Sequence, residues 1–442
     1  MSDPRAEAAT PDGADRHMGL RTATFLVVAS MIGTGVFTTS GLLLEDLRSA
    51  PAVLLAWAVG GLLALTGALS YAELVAAMPS NGGEYHLLGA VFHPALGFAS
   101  GVVSFVVGFS APIAASALAF GSYAHGIWSA LPATPTAVAL VVGMCAIHGF
   151  RVRTGDRVQD ALTAFKVLLV LGFIGAGAAF LVPERLVAAE QPLFDATVSP
   201  SFAVALIYVS FSFSGWNAAT YVAGEVKHPA RTLPMALAIG TALVTALYLG
   251  INLVFLGGAP ADALAGEVEV GHVAAVHLFG RPAGTILGAI IALGLVSTVG
   301  ALVVTGTRVL EAMGRDHGPL ALLARRAVGG GPFVAVGLQG IVALAMVLSA
   351  TFDALLAYIG FTLSVFAALT VLGVLVMRWR APDLERPYRT WGYPVTPLLF
   401  VGLMVWMIAR SVAEEPVVAA AGAATIGLAL GFWVVVRRAA SE

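Results

Sequence analysis

Two short stretches of this chain carry groups suited to holding a small charged molecule. The first is Met31–Ile32–Gly33–Thr34–Gly35–Val36–Phe37, inside an apolar run from Thr22 to Leu44. The second is Phe211–Ser212–Phe213–Ser214–Gly215–Trp216–Asn217, where polar residues and glycine again interrupt an apolar stretch. A run of roughly 20 apolar residues crosses a bilayer as helix, and Gly-Thr-Gly is where such a helix breaks most easily. A break in hydrocarbon strands N–H and C=O groups, at roughly several kcal/mol each, unless they face protein, a watery cavity or a polar ligand. It also leaves donors on one half-helix and acceptors on the other, which suits a zwitterion. Lys166, in Thr163-Ala-Phe-Lys-Val-Leu-Leu169, is the third chemically pointed residue and one of only two lysines.

The elements that position these residues are membrane helices. Apolar residues make up 59% of the 442 and charged residues 11%, against about 25% charged in soluble domains. The 50 glycines suit helices that approach closely in lipid. Apolar runs between polar breaks give an all-α integral membrane protein with twelve transmembrane spans: 22–44, 52–78, 94–124, 134–150, 159–182, 200–223, 234–258, 283–310, 333–350, 353–377, 395–410 and 417–436. With the N-terminus inside, eighteen Lys and Arg fall in inner segments, among them Arg5, Arg151, Arg153, Arg157 and Lys227, and only Arg48, Arg185, Arg281 and Arg410 fall outside. That asymmetry puts both termini in the cytoplasm. Spans 1 and 6 are five apart, so 22–182 and 200–377 form two halves of opposite orientation. Flanking them are a tail over 1–21, two further spans over 395–436 and a tail over 437–442. Interrupted spans in matching positions point to a transporter's binding site; taken singly, each interruption also reads as a kink or a close packing point.

Several functions are excluded. A net charge of −2 indicates no nucleic-acid partner, and the single Cys145 rules out an internal disulfide framework or a cysteine metal site. His148, His272 and His277 lack metal-ligand spacing, so no metal and no cofactor are expected. No HExxH, GxSxG or GxxxxGK motif is present, which argues against an enzyme. A channel or a nutrient receptor on the same scaffold remains open, the first separated by conductance far above carrier turnover, the second by binding without translocation.

Five motifs extend the reading: Met31 to Phe37; Ser70-Tyr-Ala-Glu-Leu74 with Pro79-Ser-Asn-Gly-Gly-Glu-Tyr85; Gly224-Glu-Val-Lys-His-Pro229 with Arg231 and Pro234; Arg308-Val-Leu-Glu-Ala-Met-Gly-Arg-Asp316; and Arg386-Pro-Tyr-Arg-Thr-Trp-Gly-Tyr-Pro394. In this order the chain resembles the amino acid–polyamine–organocation superfamily of secondary transporters, and Trp216-Asn217 after Gly215 is similar to its L-type amino acid transporter branch. The resemblance implies a LeuT-like 5+5 inverted repeat with discontinuous helices 1 and 6, two extra helices, and alternating access in a bacterial-type plasma membrane. It implies that backbone N–H groups around Thr34, Gly35 and Val36 hold a substrate carboxylate. Carbonyls near Met31, Ile32, Phe211, Ser212 and Ser214 would take the ammonium. Gly33 and Gly35 suit close backbone approach. Phe211 falls where the family has an aromatic gate, or is plain core.

Spans 1, 3, 6 and 8 contain no Asp, Glu, Lys or Arg over 22–44, 94–124, 200–223 and 283–307, so a neutral amino acid is expected, with a cationic amino acid or polyamine as the alternative. Phe105, Phe109, Ser110, Trp216, Ser297 and Thr298 are candidate wall residues. An intramembrane lysine costs roughly 2.5–3.5 kcal/mol on insertion scales. The resemblance places Lys166 beside the unwound part of span 1, where sodium-coupled relatives hold a cation, so that its ammonium could replace that ion and couple protons; the other reading is a lysine snorkelling to the interface. Glu73, Glu84 and Glu225 near inner span ends read as caps, loop contacts or gate ion pairs. Animal L-type relatives attach to a glycoprotein through a cysteine between spans 3 and 4; residues 125–136 here contain none, so no disulfide-linked heavy chain is expected, and the partners are the substrate, the bilayer and protons.

Overall fold

A computed structural model describes residues 16–150, 156–327 and 330–440; Arg5, Arg151, Arg153 and most of the tail expected over 1–21 lie outside them. The described residues are helical, with three isolated bridges and no strand. In chain order the main helices are α1 (Leu20–Met31), α2 (Thr39–Leu47), α3 (Ala50–Ala77), α4 (Glu84–Val91) and α5 (Pro94–Ile127). Next come α6 (Ala133–Phe150), α7 (Asp156–Ala178), α8 (Pro200–Phe213), α9 (Pro229–Gly258) and α10 (Val270–Phe279). The chain ends with α11 (Arg281–Asp316), α12 (Phe333–Ser349), α13 (Phe352–Arg380), α14 (Val395–Glu414) and α15 (Pro416–Ala439).

Seven of these, α3, α5, α9, α11, α13, α14 and α15, are long and apolar enough to cross a membrane. The other five expected spans coincide with shorter apolar helices: α6, α7 and α12, together with α1 and α8, which stop at the two interruptions read from the sequence. α10 was not expected; its ten residues are too few to stand out as a span. The outer surface carries large apolar side chains, Leu293 at 67% and Leu428 at 75% exposure among them. Water would penalise that surface and lipid would not.

The core lies where α3 meets α8 and α9. Small residues on α3 allow the approach: Gly60 faces Val209 of α8 and Gly61 faces Thr245 of α9. Trp57, Phe213 and Tyr248 then pack as a fully buried aromatic cluster.

The sequence motifs converge at one end of the bundle. Glu73 accepts two hydrogen bonds from Arg378 at 2.8 Å each and one from the Thr390 N–H at 2.7 Å, with Arg386 at 3.5 Å. The Ser70–Leu74 motif is thus tied to the Arg386–Pro394 motif across α13. Glu311 pairs bidentately with Arg326 at 2.7 and 3.0 Å. Met18 forms a parallel bridge to Val226: its N–H donates to Glu225 and its carbonyl accepts from Lys227 at 2.8 Å.

Candidate functional site at two helix breaks

The first break opens where α1 ends. Ile32 (φ −73°, ψ 86°) leaves the helix, Gly35–Phe37 form one tight turn, and α2 begins at Thr39. The turn is closed by Phe37 N–H to Thr34 O and Thr38 N–H to Gly35 O, both 3.1 Å. Among the described residues, the N–H groups of Thr34, Gly35 and Val36 meet no acceptor and the carbonyls of Ile32 and Gly33 meet no donor. Such groups mark a helix-terminus ligand site.

The second break opens where α8 ends. Ser214 is extended (ψ 144°), Gly215 has φ +94°, and the chain continues as short 3-10 turns over Ala218–Tyr221 and Ala223–Glu225. Glycine at 215 is required twice over: by the left-handed backbone, and because a Cβ there would lie 2.6 Å from the Ser30 carbonyl. The two breaks therefore touch. A Cβ at Gly35 would fall 2.5 Å from the Ser212 Cα, and Thr39 and Ser212 share a hydrogen bond of 2.9 Å between their hydroxyls.

One side chain joins both breaks. Tyr248 of α9, fully buried, donates its hydroxyl to the Met31 carbonyl at 2.5 Å and lies 3.1 Å from the Ser212 carbonyl. It serves the carbonyl ends of α1 and α8, which their own helices leave open. The Phe211 carbonyl takes the Ser214 N–H at 2.9 Å. Of the carbonyls expected to receive an ammonium, Phe211 thus already has a donor, Met31 and Ser212 share the one Tyr248 hydroxyl proton, and Ile32 and Ser214 are left open among the described residues. The Thr34 hydroxyl is engaged with Ser116 of α5 at 2.5 Å.

Lys166 projects from α7 toward the first break. Its Nζ donates to the Thr298 hydroxyl at 3.0 Å, and Thr298 donates to the Gly294 carbonyl. A small cavity is lined by Lys166, Gly33, Phe37, Gly294 and Thr298, among others. Lys166 is only 9% exposed, and no carboxylate pairs with it among the described residues.

Other expected residues have neighbours of their own. Trp216 packs edge-on against Tyr71 at 4.7 Å and near Phe400 at 6.3 Å, on the α3 and α14 side. Phe105 clusters with Leu310 and Ala335, and Phe109 lies over Gly306 of α11. Phe211 is buried. Asn217 donates to Glu84 at 3.1 Å. Sequence reasoning missed Tyr248 and Ser116; a tyrosine in mid-span was the available signal, because a buried hydroxyl needs a partner.

A family model described as amino acid permease matches residues 18–435. The chain is 28% identical over 411 residues to the b(0,+)-type amino acid transporter 1 of Mus musculus, covering 91% of this chain and 83% of that one. It is 28% identical over 438 residues to the large neutral amino acids transporter small subunit 2 of Mus musculus, covering 96% and 82%. For the human protein of the latter name the figures are 28% over 438 residues, 96% and 81%. With that match over most of its length and apolar helices fit to cross a bilayer, the chain belongs to the amino acid permease family of the amino acid–polyamine–organocation superfamily and is a multi-pass membrane transporter of amino acids, not an enzyme.

Proposed function

We propose that the chain carries neutral amino acids across a bacterial-type plasma membrane by alternating access, through proton coupling or exchange. The observation that carries this reading is the pair of touching helix breaks where, among the described residues, the N–H groups of Thr34, Gly35 and Val36 and the carbonyls of Ile32 and Gly33 are left open. The substrate carboxylate sits on the N–H groups, favoured by the dipole of the half-helix that follows. The ammonium sits on the carbonyls, with the second lone pairs of Met31 and Ser212 as further acceptors. Ser214 and Gly215 border the same gap. Twelve spans in a 5+5 inverted repeat, 22–182 and 200–377, with both termini cytoplasmic, form the frame.

Neutral selectivity is supported by the lack of charged residues in spans 1, 3, 6 and 8, since a buried ionic side chain needs a partner. One relative named above, a transporter of large neutral amino acids, agrees. Lys166 is the coupling residue: its ammonium lies beside the first break on a single hydroxyl, where the presence or absence of a proton changes the local charge most. With Cys145 in α6 and no cysteine over 125–136, the carrier works without a disulfide-linked partner.

The test is purified protein in liposomes with a labelled amino-acid panel, with and without internal amino acid and with an imposed pH gradient. Saturable uptake inhibited by neutral amino acids is expected. Inhibition by arginine or polyamines alone would overturn the selectivity, and conductance far above carrier turnover would replace a carrier by a channel.

A further inference from the structure

Glu84 opens α4, between the second and third spans, and is buried with 6% exposure. Both of its recorded donors reach Oε1: the Tyr71 hydroxyl at 2.6 Å and Asn217 Nδ2 at 3.1 Å. Neither carries charge. The surrounding loop is laced to the far half of the second break. Gly82 N–H donates to the Tyr221 carbonyl at 3.1 Å, and Gly224 N–H donates to Asn81 Oδ1 at 2.9 Å. Gly83, at φ +53°, brings the backbone onto the Tyr221 ring, where a Cβ would be 2.9 Å away.

Among the described residues, the ionisable groups around Glu84 include no cation paired with it. From α3 come Tyr71 and Glu73, the latter held by Arg378. The second break contributes Tyr221. From α13, Arg378 is committed to Glu73 and Arg380 to the Val91 carbonyl. His86 follows on α4, and Tyr85 reaches Asp316 of α11 at 3.5 Å. No ion pair to Glu84 exists among the described residues.

We propose that Glu84 is a proton-dependent positioning residue for the substrate site: protonated, it stays dry between Asn217 and Tyr71 and keeps the far half of the second break packed; ionised, with no cation paired to it, the buried carboxylate draws in water and loosens that half. The inference rests on the reading that the second break borders the substrate. On ionisation the Glu84 O–H bond breaks and the proton passes to water entering at the Met18 and Lys227 end; closure takes it back from the same side. Access from one side lets this proton set the position of that half of the break without driving accumulation, so the role differs from that of Lys166. The first turn of α4 favours the anion, yet burial outweighs that and both neutral donors, pushing the carboxyl up to about 7. The neutral form therefore prevails at acidic pH and is lost as pH rises through about 7.

The test measures exchange of the best-carried neutral amino acid of the panel in liposomes from pH 5.5 to 8.5, with inner and outer pH set separately. Wild-type exchange is expected to change several-fold near pH 7 with the pH on the side of α4 only. Glu84→Gln, which keeps an acceptor for Tyr71 and Asn217, is expected to be flat with pH, and Glu84→Asp to restore the dependence. A Glu84→Gln profile equal to wild type, or a wild type without pH dependence, overturns the proposal. Should Glu84→Gln fail to fold, Tyr71→Phe removes one donor to the carboxylate and is expected to move the midpoint upward; an unmoved midpoint overturns the proposal. Hydrogen exchange over 214–226, corrected for intrinsic rates, reads the release without substrate. Protection lost between pH 6 and 8 in wild type and kept in Glu84→Gln supports the proposal even where no neutral amino acid is carried, and equal protection in both overturns it.

Discussion

Tyr248→Phe tests the joint between the two breaks. The substitution removes one oxygen and leaves the ring in the cluster with Trp57 and Phe213, so no cavity forms. What is lost is the donor shared by the Met31 and Ser212 carbonyls. Tyr248 is at 0% exposure, so water has no easy route to replace it. Leaving a buried acceptor unmet costs about 1–3 kcal/mol. If the substrate site requires the ends of α1 and α8 held together, that cost falls on binding and amounts to roughly 5- to 150-fold in affinity. The assay is equilibrium binding of a labelled neutral amino acid to purified protein, with thermal stability measured alongside. Tyr358→Phe is the control, because it removes a hydroxyl bonded to Thr425 at 2.8 Å between α13 and α15, away from the breaks, and should leave affinity within about twofold. Tyr248→Phe binding within twofold of wild type, in folded protein, would refute the reasoning.

Other substitutions probe separate parts of the account. Gly35→Leu drives a side chain into Ser212; overpacking typically costs about 1–3 kcal/mol or more, and loss of binding and uptake is expected, whereas near-wild-type uptake would reject the site. Lys166→Ala should lower uptake at least about tenfold or abolish its pH dependence, because Lys166 donates to Thr298 beside the first break with no carboxylate paired to it among the described residues; unchanged flux from pH 5 to 8 would leave a snorkelling lysine. Glu73→Gln leaves Arg378, whose side chain is 23% exposed, without its carboxylate. Breaking a buried pair costs about 3–5 kcal/mol, so thermal stability in detergent should fall sharply, and an unchanged melting temperature would show the pair to be dispensable.

Gly-Thr-Gly and Ser-Gly-Trp-Asn were legible as interruptions because they contradict the helix around them, and α1 and α8 stop there. The partners of those interruptions were not legible. Thr34 meets Ser116, 82 positions away, and Tyr248 reaches Met31 across 217; hydropathy in a uniformly apolar span does not say which face turns inward. The ring partners of Trp216, Tyr71 of α3 and Phe400 of α14, were not legible either. Glu73 and Arg386 were legible as members of motifs, but their meeting through α13 depends on tertiary packing.

The most direct measurement is a density map of the purified protein with a neutral amino acid bound. The account predicts the carboxylate on the N–H groups of Thr34, Gly35 and Val36 and the ammonium toward the carbonyls of Ile32 and Gly33, with helices interrupted at 31–37 and 211–217. An amino acid bound elsewhere, or continuous helix through either stretch in the bound state, would contradict it.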